Sequence, residues 1–141
     1  MSAAVPFAKH VGIELVEIAP GKGVAILGET ATSVNHIGSQ HAGALFTLGE
    51  TASGAAMAGT FADLMLNIRP VASNASIEYR KLARGKITAT AVTNDDPADL
   101  LSILHRDKKV EFDVAVTLAN EAGVTIGSMS VRWQVRLSRS V

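Results

Sequence analysis

The sequence contains no cysteine among its 141 residues. This excludes disulfide bonds, thiolate nucleophiles and zinc or iron–sulfur sites built on cysteine. It also has no net charge, because thirteen Lys and Arg residues balance thirteen Asp and Glu. A dedicated nucleic-acid-binding protein normally carries a basic excess that neutralises phosphates, so this class is disfavoured. Aromatic residues amount to only 4%, and the core must therefore consist mainly of Ala, Val, Ile and Leu.

Targeting and membrane signals are also scarce. The first ten residues lack the basic region followed by an apolar run that marks a signal peptide, so we expect a cytoplasmic protein. Residues 42–62 carry a single charge, Glu50, but consist mostly of Ala, Gly, Ser and Thr. A charge in the middle of such a segment would be costly in lipid, which favours a buried helix of a soluble protein over a membrane span.

What the sequence does have is enough apolar material for one packed domain. Apolar residues make up 48% of the chain, which is too high for a disordered protein. The length matches one domain rather than two, and no linker or internal repeat is evident. We therefore expect a single domain over residues 1–141.

The hydrophobic periodicity predicts one helix and six strands. Small and apolar residues at helical spacing predict an enclosed helix over residues 41–60. Alternating patterns predict strands before and after it, at 12–18, 22–33, 76–82, 86–93, 110–119 and 124–137. The alternation shifts phase at Gly127, which indicates a β-bulge, and residues 83–85 are typical of a hairpin connection. Short connections between the last four strands require an antiparallel sheet, so the predicted fold is α+β, with a long sheet wrapped around one central helix.

The strongest chemical signal surrounds the start of this helix. Asn35, His36, Gln40 and His41 precede or begin it, and Glu50 lies within it. Free N–H groups and a partial positive charge at a helix N-terminus can stabilise an oxyanion. A lone carboxylate on an apolar helix requires either a catalytic role or partners such as Thr47 and Thr51. The histidine spacing does not match a metalloprotease motif, so no metal site is expected.

Taken together, these residues resemble a known signature. Asn35-His36-Ile37-Gly38, followed by His41-Ala42-Gly43-Ala44-Leu45-Phe46 and Glu50, is similar to the site of hotdog-fold thioesterases, in particular the PaaI-like branch and its DUF4442 relatives. The resemblance covers nearly the whole chain. It implies a hotdog fold, an acyl-CoA thioesterase activity that needs no cofactor beyond the coenzyme A of the substrate, and a homodimer or dimer of dimers whose site forms across the interface.

The resemblance also assigns roles to residues. It implies that Asn35, His41, Ala42 and Glu50 form the catalytic site and that Gly43 contacts the substrate. Ala42 departs from the family, which usually has glycine at this position. Whether Glu50 acts as a nucleophile or as a general base remains open. Small residues on the helix, including Gly54, leave room for an acyl group.

The expected coenzyme A contacts come from a basic segment. Residues 69–86 contain five basic residues and one acidic residue, a local excess that suits phosphates or forms an ordinary solvated surface. In similar proteins this region lines the coenzyme A channel, which implies phosphate contacts from Arg80, Lys81 and Arg84. Ser73 and Asn74 are expected near the acyl portion.

Two other functions remain open. A hotdog hydratase or dehydratase would use His36 together with Glu50, although such enzymes carry a proline-rich loop that this chain lacks. A non-catalytic module that binds acyl thioesters could share the same fold, because a fold does not by itself imply turnover.

Overall fold

The computed structural model describes residues 5–30 and 33–138. Its strands are β1 (Ile13–Ala19), β2 (Lys22–Leu27), β3 (Ile68–Tyr79), β4 (Ile87–Thr93), β5 (Lys109–Ala119) and β6 (Thr125–Leu137). Its helices are α1 (Pro6–Val11), α2 (Ala42–Thr60) and α3 (Pro97–Asp107), with a 3₁₀ helix at Ala62–Asn67. The central helix therefore lies where the hydrophobic pattern predicts it.

The six strands form one antiparallel sheet in the order β1-β2-β4-β5-β6-β3. Helix α2 packs against five of these strands, β1, β2, β4, β5 and β6. Its small residues permit a close approach, because a Cβ atom at Gly59 would collide with the backbone of Ala19. Most of α2 is buried. This arrangement confirms the predicted α+β fold with a sheet around one helix.

The predicted hairpin between the third and fourth strands is wrong. β3 pairs with β6, whereas β4 pairs with β2 and β5, so residues 80–86 cross from one edge of the sheet to its interior. The backbone of Ala83 bonds to the loop before α2 instead of to a strand: its C=O accepts from the N–H of Gln40 at 2.7 Å. Tertiary contacts therefore determine this connection, and local sequence signals do not report them.

The start of β3 was also predicted eight residues too late. Pro70 and the polar residues Ser73 and Asn74 interrupt the alternation that marks a strand. The structure accommodates them because β3 is an edge strand, paired on one side only. Its register with β6 shifts between Ala72 and Asn74.

Helix α3 was not predicted, and it occupies most of the connection between β4 and β5. Its signals are present in the sequence: Asp96 caps the helix by accepting from the N–H of Ala98 at 2.8 Å, and Pro97 occupies the first turn. Leu100 and Leu104 are its buried residues. Asn94 to Pro97 also resemble a turn, which concealed the start of the helix.

The predicted bulge in the last strand is confirmed. Leu118 pairs with Gly127 and Ala119 pairs with Thr125, so Ile126 is an extra residue on β6. The buried positions change parity at this point, as the sequence pattern indicates. None of the helices in the described ranges combines the length and the apolar character needed to cross a membrane.

Candidate active site

The loop before α2 is organised by Asn35. Its side-chain Oδ1 accepts hydrogen bonds from the N–H groups of Ile37 at 3.0 Å and Ser39 at 3.1 Å. Its backbone N–H donates to the C=O of Ser39 at 2.6 Å, and Gly38 supplies the left-handed conformation that closes the turn. In this chain Asn35 therefore shapes the loop. His36 is exposed at its tip.

Gln40 attaches this loop to the 80–86 segment. The side chain is buried, and its Nε2 donates to the C=O of Gly85 at 3.0 Å. Its Oε1 has no hydrogen-bond partner among the described residues. A Cβ atom at Gly38 would lie 3.7 Å from Nη1 of Arg84. The basic crossover segment therefore lies beside the loop that leads into the helix.

The helix start presents an exposed residue with a free amide, Ala42. His41 is the N-cap, and its Nδ1 accepts from the N–H of Gly43 at 2.8 Å. The N–H of Leu45 donates to the C=O of His41 at 3.0 Å. The N–H of Ala42 has no acceptor within the described ranges, while its C=O accepts from the hydroxyl of Tyr79 at 3.0 Å. This exposed N–H lies at the positive end of the helix dipole and could donate to an oxyanion.

Glu50 occupies a different environment, midway along α2. It is half-buried and lines a cavity of about 270 Å³. Its carboxylate forms no hydrogen bond or ion pair with any described residue. The hydroxyl of Thr47 donates to the C=O of Gly43 at 2.9 Å, and that of Thr51 donates to the C=O of Thr47 at 2.7 Å. The structural alternative, a Glu50 held by these threonines, is therefore not observed, and burial raises the pKa of the Glu50 carboxyl.

The free amide and the carboxylate are far apart within one chain. Ala42 and Glu50 are eight residues apart on the helix, which corresponds to a rise of about 12 Å along its axis. The amide would donate to the carbonyl oxygen, while the carboxylate would act on the carbonyl carbon directly or through one water molecule. Within one chain, Ala42 does not line the Glu50 cavity.

A second hollow, of about 370 Å³, lies at the helix start. His41 and Gly43 line it together with Phe7, His10, Val11 and Ala44. His10 could not be predicted here, because nothing around it in the sequence indicates that α1 carries it to this place.

The remaining predicted residues fall into separate groups. Gly54 lines the Glu50 cavity. Ser73 and Asn74 are exposed on edge strand β3 and line neither the cavity nor the hollow described above. Arg80 forms an ion pair with Glu78 at 3.0 Å. Lys81 and Arg84 are exposed, and neither forms an ion pair with another residue in the described ranges.

Most of the cavity wall was not predicted from the sequence. Beside Glu50 and Gly54, the cavity is lined by Val5, Leu15, Thr51, Met57, Met65, Pro70 and Trp133. The indole N–H of Trp133 donates to Oγ of Ser53 at 3.0 Å. The available signal was that Trp133, the only tryptophan, occupies an inward position of the last strand.

Comparisons with known proteins agree with this architecture. The family model described as Domain of unknown function (DUF4442) matches residues 1–135. No sequence among curated proteins matches this chain. A protein of unknown function from Pseudomonas aeruginosa, described as a probable thioesterase, is 26% identical with a TM-score of 0.83, and the alignment covers 96% of this chain and 90% of that one.

Two further solved structures share the fold. The Escherichia coli PaaI protein from the phenylacetic acid degradation operon is 22% identical with a TM-score of 0.74, over 94% of this chain and 86% of that one. A Streptococcus mutans protein bound to acetyl CoA is 20% identical with a TM-score of 0.70, over 91% of both chains. The expected hotdog fold is thereby confirmed.

Proposed function

The chain belongs to the DUF4442 family, and from this premise we propose that it is an acyl-CoA thioesterase. The observation that carries the proposal is the Glu50 carboxylate, which faces an apolar cavity without a partner among the described residues. The descriptions of its structural neighbours as a probable thioesterase and as an acetyl CoA complex support the same chemistry.

In the proposed reaction, Glu50 activates water. The carboxylate accepts a proton as the water oxygen attacks the thioester carbonyl carbon, and the carbonyl oxygen becomes an oxyanion held by a backbone N–H. The C–S bond then breaks, and the thiolate of coenzyme A leaves and takes a proton. Direct attack by the carboxylate, followed by hydrolysis of an anhydride, uses the same residue and remains open.

We propose that the site is shared between two protomers. Ala42 and Glu50 of one chain are about 12 Å apart along the axis of α2, and Ala42 does not line the Glu50 cavity. Pro70 of β3 lines the Glu50 cavity, and β3 is an unpaired edge of the sheet. A second copy that pairs along this edge would bring another helix start towards the cavity. Glu50 would then act with the N–H of Ala42 of the partner subunit.

The coenzyme A portion would follow the exposed basic side chains. Lys81 and Arg84 are free of ion pairs within the described ranges and lie on the crossover segment beside the helix start. We therefore place phosphate contacts here and expect Arg80 to contribute less, because Glu78 already neutralises it.

A complementation experiment tests both parts of the proposal. Ala42→Pro removes the amide hydrogen, and the first helical position tolerates proline. His41, which precedes it, already has the extended conformation that a following proline requires. Ala42→Gly retains the N–H and is the matched control. We expect wild type and Ala42→Gly to release thiol from acyl-CoA, whereas Ala42→Pro and Glu50→Gln should be nearly inactive.

The two inactive variants are then unfolded, mixed and refolded together. Half of the dimers formed at random are mixed, and each mixed dimer has one intact shared site of two, so about a quarter of the wild-type activity should return. If each chain contained its own complete site, mixing would restore nothing. Wild-type protein that releases no thiol from any acyl-CoA would contradict the thioesterase assignment itself.

A further inference from the structure

The walls of the Glu50 cavity carry information about the acyl group. This step rests on the proposed function and concerns which thioesters the site accepts. Apart from Glu50 and Thr51, the lining consists of apolar side chains, Gly54, and the ring of Trp133. The Trp133 N–H is already bonded to Ser53, and the Thr51 hydroxyl donates to a backbone carbonyl. The cavity wall therefore offers no free hydrogen-bond donor to a bound acyl group.

The charge of the lining disfavours acyl groups that carry a carboxylate. No Lys, Arg or His lines this cavity in the part of the chain that the structure describes. An acyl group that ends in a carboxylate would bring a second negative charge towards Glu50 with no cation in the lining of the same chain to compensate it. Dicarboxylic thioesters, such as glutaryl-CoA, therefore fit poorly.

The cavity size indicates the length of the acyl group that the cavity can enclose. A methylene group occupies about the same volume as a water molecule in the liquid, about 30 Å³. A cavity of about 270 Å³ thus corresponds to about nine methylene groups. Met57 and Met65 contribute flexible, polarisable walls that suit either an alkyl chain or an aromatic ring.

We propose that this cavity binds an uncharged apolar acyl group of about six to ten carbons, alkyl or aryl, and that Gly54 is a specificity-determining residue. A Cβ atom at Gly54 would lie 3.5 Å from Cζ2 and 3.7 Å from Cη2 of Trp133, which is ordinary contact. Alanine therefore fits at this position, whereas a larger side chain would extend along the Trp133 ring into the space for the acyl group.

Binding can be measured without turnover. Trp133 is the only tryptophan of the chain and forms part of the cavity wall, so its fluorescence reports occupancy directly. In the Glu50→Gln background, the Kd should fall about fourfold for each methylene from butyryl- to octanoyl-CoA and level off or rise beyond decanoyl-CoA. A Kd that does not depend on chain length would overturn the proposal.

Variants at Gly54 show whether this cavity is the one occupied. In the same background, Gly54→Leu should abolish the dependence on chain length, and Gly54→Ala should shift the optimum to shorter chains. Both residues favour a helix more than glycine does, and circular dichroism checks that the variants fold. Ala98→Leu, an equivalent enlargement on the exposed face of α3, should change nothing. Undiminished chain-length dependence in Gly54→Leu would contradict the assignment.

Thiol release by the wild type separates this inference from the proposed function. We expect hexanoyl- and octanoyl-CoA to be hydrolysed with a kcat/KM at least about tenfold above that of glutaryl-CoA. Length-dependent binding without any thiol release would refute the thioesterase and support the acyl site. Thiol release with equal kcat/KM for glutaryl- and hexanoyl-CoA would refute the acyl site alone.

Discussion

The loop before α2 and the middle of α2 differ in how their polar side chains are hydrogen-bonded. In the loop before α2, the described polar groups of Asn35, Gln40 and His41 are mostly used within the protein, because they hold the turn, the crossover segment and the helix start. In the middle of α2, the carboxylate of Glu50 has no such partner among the described residues and faces an apolar cavity. The hydrogen-bonded polar side chains therefore lie in the loop, whereas the carboxylate without a partner lies in the middle of the helix.

This contrast supports our proposal of which residues act on substrate directly. A hydrogen-bonded side chain such as that of Asn35 contributes by positioning the backbone, and a conservative replacement can preserve its function. A half-buried charge without a partner is costly, which supports the chemical role proposed for Glu50. The expected effects of substitution therefore decrease from the Glu50 cavity towards the loop and the exposed surface.

The largest effect is expected at Glu50. Glu50→Gln should lower kcat by about a hundredfold to ten-thousandfold, because it removes the base or nucleophile while preserving shape. Thiol release from octanoyl-CoA measures this, with Glu14→Gln on the exposed face of β1 as the control. Wild-type kcat in Glu50→Gln would show that another group performs the chemistry.

The same residue predicts a pH dependence. Burial raises the pKa of the Glu50 carboxyl above its ordinary value of 4.5. Since the reaction needs the carboxylate, kcat/KM should fall on acidification at a higher pH than for an ordinary glutamate. The raised pKa also means that the charge destabilises the fold increasingly as the pH rises. Glu50→Gln should therefore be more stable than wild type at neutral pH, and denaturant titration should show the difference disappearing in acid.

An intermediate effect is expected at Asn35. Asn35→Ala removes the acceptor of two backbone hydrogen bonds and should lower kcat about tenfold to a hundredfold by displacing the loop. Asn35→Asp retains an acceptor oxygen and should recover most of the activity. Equal loss in both variants would indicate that the amide NH₂ contacts substrate directly. His36→Ala, at the exposed loop tip, should matter less than Asn35→Ala.

A smaller effect is expected at the basic surface. Arg84→Ala should raise KM for acyl-CoA about twofold to fivefold and leave kcat nearly unchanged, because an exposed charge contributes little. High salt should reduce the difference between Arg84→Ala and wild type. Arg106→Ala is the control, since Arg106 pairs with Asp107 on α3. An unchanged KM would show that Arg84 does not contact coenzyme A and that the crossover segment is an ordinary solvated surface.

The smallest effect on catalysis is expected at the helix cap, where the main change should be in stability. His41→Ala removes the acceptor of the Gly43 N–H and should lower the free energy of unfolding by about 1 kcal/mol. His41→Asn restores a capping side chain and should recover most of this stability. Thermal and denaturant unfolding measure both. If His41→Ala instead abolished thiol release in a stably folded protein, His41 would have a chemical role beyond the cap.

The sequence by itself determined the elements whose signals are local. The period of α2, the alternation of β5 and the phase shift at Gly127 all depend on residues close in sequence, and the structure confirms each of them. The isolated carboxylate of Glu50 was also visible, because no other charge lies within residues 42–62. The resemblance to the family then predicted the hotdog fold of the whole chain.

Only the tertiary structure decided which distant residues meet. The local pattern of residues 76–93 is equally compatible with a hairpin, yet β3 pairs with β6, and Ala83 bonds to the loop before α2. Likewise, Leu15 and Trp133 line the cavity of Glu50 because the sheet wraps around the helix. Hydrophobic burial is non-directional, so a sequence specifies which faces are buried, while the folded sheet specifies which of those faces touch.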